Sequence, residues 1–457
     1  MKRTLVKSLI AFTFSFLVCS ASQAQTPQAF SLQQSIEYAV KNKPTMANAR
    51  LQQDMANARV GEIRAMGLPQ INGAAELGDN FKVPTSFVPG EFINMPGTFV
   101  PVQFGIQYTA SAGVTGSQLL FDGSYLVGLK AAQTYKDLSR KEVMQTETDI
   151  TEAVTKAYYG VLVNRERLTL LDRNLERLQS LLHETQQIFQ QGFAEKLDVD
   201  RLQVSFNNLK VEKQKADRLF ELSEGLLKFQ MGLPQNQPIQ LTDQLSDIVV
   251  DMAKTDAGEF NYSQRIEYSI LETQRDLAML DLRNTRATYL PKLYLNARYG
   301  VNSASQQFGT LFRFSEKNDF GTSNYFPYGF VGVNLSVPIF QGLRKKYQVQ
   351  QAQLAIETTK NGFQALQDGI NLELKQASVN LQNALEVLES QKESLALAEE
   401  VARVTRIKFQ EGVGTNLEVV TAESALREAQ TNYYVSLYDA VIAKVDLDKA
   451  TGTLLAR

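Results

Sequence analysis

Hydrophobic residues recur in this chain with two distinct periods. From Leu293 the alternation is strict, with Leu293, Leu295, Ala297, Tyr299 and Val301 on one side and Tyr294, Asn296, Arg298, Gly300 and Asn302 on the other. Val331, Val333, Leu335, Val337 and Ile339 repeat it, with Gly332, Asn334 and Ser336 between them. Earlier, Ile106, Tyr108, Ala110, Ala112 and Val114 oppose Gln107, Thr109, Ser111, Gly113 and Thr115. Gln70 to Phe81 shows a weaker form through Ile71, Ala75, Leu77 and Phe81. A period of two sends successive side chains to opposite faces of a strand, so the pattern predicts four strands. Elsewhere the steps alternate between three and four: Leu168, Leu171, Leu175, Leu178, Leu182, Thr185 and Phe189. That is the spacing of coiled-coil a and d positions, and it describes how helices pack without naming a ligand.

The pattern occurs twice. Phe121-Asp122-Gly123 matches Phe340-Gln341-Gly342 at an offset of 219, and Phe189-Gln190-Gln191-Gly192 matches Phe409-Gln410-Glu411-Gly412 at 220. Leu68-Pro69 matches Leu290-Pro291 at 222. The second helical seam runs through Leu388, Gln391, Leu395, Ala398, Ala402, Thr405 and Phe409, and extends back through Ala384, Leu381, Ala377 and Leu374. This period is too long for a solenoid and implies two equivalent halves. None of the twelve prolines falls between Pro101 and Pro234 or after Pro338. Because proline costs about 3 kcal/mol inside a helix, these windows admit very long helices, over about 124–188 and 343–409. At 1.5 Å per residue each is on the order of 100 Å long, so an extended object is expected. A first helix opens each half, Leu32 to Met66 and Tyr262 to Thr288, and Leu-Pro ends it. The expected divisions are 1–24, 25–233 for the first repeat, 234–261 for a linker, and 262–457 for the second repeat.

Residues 1–24 have the layout of a cleaved secretory signal: basic Lys2, Arg3 and Lys7, an apolar run from Leu9 to Val18, then Ser22 and Ala24 before Gln25. The only cysteine, Cys19, could instead carry a lipid, although Val18 stands where a lipoprotein signal usually has Gly or Ala. Cleavage removes three basic and no acidic residues, taking the formal charge from −2 to −5. That argues against a nucleic-acid binder, and no disulfide or thiol chemistry remains. No later stretch is long and apolar enough for a transmembrane helix. His183 is the only histidine and lies on a polar helix face. No catalytic constellation, metal spacing or phosphate loop is present, so no enzyme activity and no cofactor are expected.

Strict alternation fits a transmembrane barrel strand, apolar to lipid and polar to the lumen, and fits a half-buried soluble strand equally. The export signal, the lack of helical spans and the aromatic connections favour the barrel. Those connections hold Phe87, Phe92 and Phe99, and Phe308, Phe312, Phe314, Phe320, Tyr325 and Phe326. Aromatics near strand ends suit a membrane interface, or else two loops packing on themselves. A secreted coiled-coil adhesin would explain the heptads but not the duplicated strand pairs.

The punctuation itself resembles that of the TolC-like outer-membrane efflux protein family. Its carriers are Leu290-Pro291-Lys292-Leu293, the run Val333-Asn334-Leu335-Ser336-Val337-Pro338-Ile339-Phe340-Gln341-Gly342, their first-half echoes Leu68-Pro69-Gln70-Ile71 and Leu120-Phe121-Asp122-Gly123, and Met231-Gly232-Leu233-Pro234 followed by Leu241-Thr242-Asp243. The resemblance implies an α+β membrane protein. Each chain would give four strands to a trimeric 12-stranded barrel standing on a periplasmic α-helical coiled-coil tunnel. The partners implied are two further copies, a periplasmic adaptor, an inner-membrane transporter of RND or ABC type, and outer-membrane lipid. Independently, four strands cannot close a barrel and eight nearly fill their own bore, so an open conduit needs at least three copies. Asn296, Arg298, Asn334 and Ser336 are expected to face the lumen, and Ala297 and Leu335 lipid. Gly192 and Gly412 end the long helices as left-handed caps. They are followed by Leu197-Asp198 and Leu417-Glu418, which the resemblance places at a periplasmic tip contacting the adaptor. A carboxylate near a helix N-terminus also stabilises that helix. The second turn reads Gly412-Val413-Gly414-Thr415-Asn416, without the arginine that some relatives carry there.

Overall fold

The computed structural model describes residues 28–93, 95–103, 105–245, 260–313 and 325–455. The signal segment with Cys19, Phe314 and Phe320, and 246–259 of the linker lie outside the described residues. In chain order the elements are β1 (Gln28–Phe30), α1 (Leu32–Asn42), α2 (Pro44–Ala65), β2 (Gln70–Asp79), β3 (Thr85–Pro89), β4 (Phe99–Gln103), β5 (Tyr108–Asp122), α3 (Gly123–Gln190) and α4 (Lys196–Met231). They continue with β6 (Ile239–Leu241), α5 (Ile266–Ala287), β7 (Lys292–Ser305), β8 (Tyr325–Ser336), α6 (Arg344–Gln410) and α7 (Asn416–Thr451). Each proline-free window thus holds one very long helix, of 68 and 67 residues, followed by a second helix of 36. No described helix is long and apolar enough to cross a membrane.

The chain forms two compact units, each drawing on both repeats. One gathers Gln52–Lys141 and Ile270–Gln364. Its centre is an antiparallel sheet in the order β2-β5-β7-β8. The middle pair, β5 with β7, joins the repeats, and Gly113 sits opposite Gly300. The strands approach closely there: a Cβ on Gly300 would lie 2.6 Å from the Ala112 carbonyl oxygen and 2.9 Å from the Tyr328 hydroxyl. Only glycine fits such an approach. At the sheet's lower end Lys292 pairs with Asp122 at 2.8 Å, and Asp122 accepts from the Ser124 N–H at 2.8 Å. The Phe-Asp-Gly motif is therefore a strand-to-helix junction.

The other unit gathers the described residues of 28–51, 142–269 and 365–455. Both sequence seams are core: Leu171, Leu178 and Leu182 are buried in the first, and Ala377, Leu381 and Ala402 in the second. Near the chain start, β1 pairs in parallel with β6. The fully buried Tyr158 donates to the Asp243 carboxylate at 2.8 Å, and the same oxygen accepts the Leu32 N–H at 3.0 Å. Burial and then the Asp243 bond push the Tyr158 hydroxyl far above its ordinary value. Arg165 donates to the carbonyls of Leu241 and Asp243 at 3.1 and 2.7 Å.

Several boundaries differ from the sequence expectation. The helix expected from Leu32 to Met66 is two helices, because Pro44 lacks an N–H and holds Lys43 extended, at ψ 130°. The second repeat's first helix opens at Ile266, after a short 3-10 turn. Strand β8 takes in Tyr325 and Phe326 and ends at Ser336, leaving Val337, Pro338 and Ile339 outside it, and β5 leaves out Ile106. The first aromatic connection is itself a hairpin, β3 with β4. In the second, Phe308 packs edge-on against Tyr108 and Phe312 at 5.6 and 5.9 Å.

An ion cluster fastens the helical unit. Buried Arg265 donates to Glu267 and Glu373, each at 3.0 Å, and to the Ala450 carbonyl at 2.9 Å. Burial alone would raise the Glu267 carboxyl, but bonds and charge from Arg265 overcome it and hold the group below its ordinary value of 4.5. A depressed carboxyl contributes stability above its unfolded value and loses it as pH falls through its folded value. Arg265→Met is therefore expected to cost about 2–3 kcal/mol at pH 7. Urea unfolding followed by circular dichroism should show the gap to the unaltered protein narrowing as pH drops well below 4.5.

Candidate functional site: a two-faced sheet and a pair of helix-turn tips

Register decides which side chains share a face of the sheet. Paired residues lie on the same side, and the pairs Lys292–Ser336, Tyr294–Asn334, Asn296–Gly332 and Arg298–Phe330 put Asn296, Arg298, Asn334 and Ser336 together on one face. The rows Ile71–Gly116–Ala297–Val331 and Gly73–Val114–Tyr299–Gly329 occupy the other. The apolar sets read separately from four strands thus converge on one surface. Ile71, Val331, Val333 and Leu335 are all more than half exposed in the single chain. The polar face departs from simple alternation on β8, where Phe326, Tyr328 and Phe330 form a column of their own. The Arg298 guanidinium lies over the Phe330 ring at 5.4 Å. Period counting missed this column because both faces of that stretch are apolar.

In the helical unit the two turns are built alike. Gly192 and Gly412 have φ of +85° and +73°. Gly192 N–H donates to Phe189 O at 2.9 Å and Phe193 N–H to Ile188 O at 3.0 Å, while Gly412 and Val413 make the same pair of bonds to Phe409 and Lys408 at 3.1 and 3.0 Å. These are Schellman caps. Asp198 and Glu418 both stand in the first turn of the following helix. Glu418 completes a capping box with Thr415, and Asp198 lies 3.7 Å from Arg201. Each turn presents exposed apolar side chains, Phe193 and Leu197 on the first and Val413 and Leu417 on the second. Phe193 and Val413 were not singled out by sequence reasoning, although each follows its cap glycine at the common offset of 220.

A column of polar contacts joins the two helical hairpins. Asn416, Glu423 and Gln430 are spaced by seven along α7. Asn416 donates to the Asp198 carbonyl at 3.4 Å, and Gln430 accepts from buried Asn174 at 3.0 Å. Glu423 accepts from Arg406 of α6 and lies 3.8 Å from Arg177 of α3. An ion pair is therefore present above the second turn, made by Arg406, although no arginine stands in the turn itself. His183 is exposed, beside Gln187.

The solved outer membrane protein VceC from Vibrio cholerae superposes with a TM-score of 0.68 at 16% identity, over 92% of this chain and 96% of that one, and shows the fold. The outer membrane protein TolC of Vibrio cholerae serotype O1 is 22% identical over 93% of this chain and 91% of its own length. The proteases secretion protein PrtF of Dickeya chrysanthemi is 24% identical over 93% and 89%. The model of the outer membrane efflux protein family matches residues 35–219 and 271–453. The chain belongs to that family and is an outer-membrane exit duct for efflux or secretion.

The turn geometry yields a direct expectation. A β-branched residue tolerates positive φ poorly, and open space surrounds Gly412, so strain alone opposes a side chain. Gly412→Val should disturb the second tip and lower export several-fold while leaving assembly in the outer membrane intact. The paired readouts are assembled protein in membrane fractions and resistance of the host to exported compounds. Loss of assembly itself would assign Gly412 to folding.

Proposed function

We propose that three copies of this chain close one duct, each giving the sheet β2-β5-β7-β8 to a barrel of twelve strands. The observation that carries this reading is a four-stranded sheet with one apolar face and one mixed polar face, whose edge strands among the described residues are β2 and β8. The apolar column from Leu293 to Val301 spans eight residue steps, which at about 3.4 Å each and a tilt near 40° stands roughly 20 Å tall. That is close to the apolar band of an outer-membrane barrel, about 25 Å. Asn296, Arg298, Asn334 and Ser336 then line the lumen.

The helical hairpins reach into the periplasm and form the tunnel. Val204, Val211, Leu222, Leu226 and Phe229 of α4 are at least half exposed in the single chain, as are Leu354, Leu372, Val387, Leu397 and Val401 of α6. Such long exposed apolar stripes suit neighbouring copies. At the tips, Gly192, Leu197, Asp198, Gly412, Leu417 and Glu418, joined by Phe193 and Val413, dock a periplasmic adaptor. The adaptor in turn links the duct to an inner-membrane transporter of the RND or ABC type. PrtF bears a protease-secretion name and the matching family an efflux name, so a duct of this build serves either traffic.

Cysteine labelling tests the faces directly, since the only native cysteine precedes the mature chain expected from the sequence. A membrane-impermeant maleimide should modify Asn296→Cys and Asn334→Cys and spare Ala297→Cys and Leu335→Cys in intact outer membranes. The reverse pattern would mean a one-residue change of register, which exchanges the faces, and would overturn the lumen assignment.

A further inference from the structure

The hairpin β3–β4 is not absorbed by the duct. It continues the β2–β5 ribbon: Asn80 N–H donates to the Gln107 carbonyl at 2.7 Å, Val83 lies against Gly105, and Thr85 then pairs with Gln103. Its residue pairs put Phe87, Pro89, Phe99 and Pro101 on one side of the ribbon. Phe87 and Phe99 are 70% and 72% exposed, and Phe92 at the head is 80% exposed. Between Val83 and Gln107 the sequence holds one charged residue, Glu91. Several described polar groups of the head bond to one another. Glu91 accepts the Gly97 N–H at 3.3 Å, Gly90 N–H donates to Thr98 O at 2.7 Å, and Met95 N–H donates to Gly90 O at 2.8 Å. The side that carries Phe87, Pro89, Phe99 and Pro101 is aromatic and proline surface, with the polar pair Thr85 and Gln103 at its base. Phenylalanine, unlike tyrosine or tryptophan, gains nothing from standing in water.

We infer that this hairpin docks on the lipid surface beside the barrel, laying Phe87, Phe92 and Phe99 into the interfacial layer. Lipid is the occupant that fits, for two reasons. The ribbon is continuous with strands of the sheet whose apolar face meets hydrocarbon, and from Val83 to Gln107 its one charged residue is Glu91, which accepts the Gly97 N–H, so the hairpin offers little charge to a charged partner. Uncharged aromatic surface at a strand end is what a membrane interface takes up. The inference rests on the lipid-face reading of the sheet.

The chain contains no tryptophan, so a single introduced indole reports without background. The full-length F99W and V331W proteins are reconstituted in phosphatidylcholine vesicles brominated on the acyl chains, with iodide as the aqueous quencher. Both should emit at short wavelength, lose most of their emission to bromine and resist iodide. Bromine quenching of V331W together with iodide quenching of F99W overturns the hairpin inference and leaves the lipid-face reading standing. Resistance of F99W to both quenchers means protein covers the hairpin, and also overturns it. If bromine quenches neither variant, the lipid-face reading falls and the inference with it. Phe87→Trp serves in the same way where Phe99→Trp fails to assemble.

Discussion

Hydrocarbon offers no hydrogen bonds, and the proposed duct must meet that constraint before any other. A backbone N–H or C=O unpaired in the bilayer costs several kcal/mol, so only helices and closed barrels span it. Among the described residues, β2 and β8 are the two edge strands of the sheet β2-β5-β7-β8. One chain cannot satisfy both edges, and the duct reading makes neighbouring copies complete them. The duplication follows the same economy. The central β5–β7 pair joins one repeat to the other, and the Gly113–Gly300 contact lets those strands approach closely.

The helical unit answers a different demand. Its seams are apolar where helices pack within a hairpin, yet the contact between hairpins contains Asn174, Arg177, Asn416, Glu423 and Gln430. Polar residues at core positions specify register at a cost in stability. A spacing of seven on α7 repeats one face of the helix, so these groups act as a column that aligns one hairpin against the other. At the end of that column the two Schellman turns hold Phe193, Leu197, Val413 and Leu417 outward.

Local periodicity made much of this legible before any coordinates. The two long helices and the apolar face of the sheet follow from spacing alone, because a helix seam and a strand face each depend on near neighbours in sequence. What periodicity missed depends on distant partners or on a single residue. Pro44 splits a helix that otherwise has continuous helical pattern. Phe326 reads as part of a connection, and Tyr328 and Phe330 give no signal, because apolar residues on both faces hide a period of two. The hairpin β3–β4 is rich in proline, and its extended structure comes from cross-strand pairing that no local rule reports. Glu423 was indistinguishable in sequence from the solvated acids around it, and only the fold brings Arg177 and Arg406 to it.

The central claim is that the free edges, β2 of one copy and β8 of the next, meet in a ring of three. Disulfide trapping examines it most directly. Ala75→Cys on β2 is combined in turn with Gly329→Cys, Val331→Cys and Val333→Cys on β8, all on the apolar face. Within one chain these positions sit on opposite edges, three strand spacings or about 14 Å apart, beyond the reach of a disulfide. Oxidation in outer membranes should give a covalent ladder that ends at the trimer for at least one combination. A ladder that never forms across the series, or one that continues past three copies, would contradict the account.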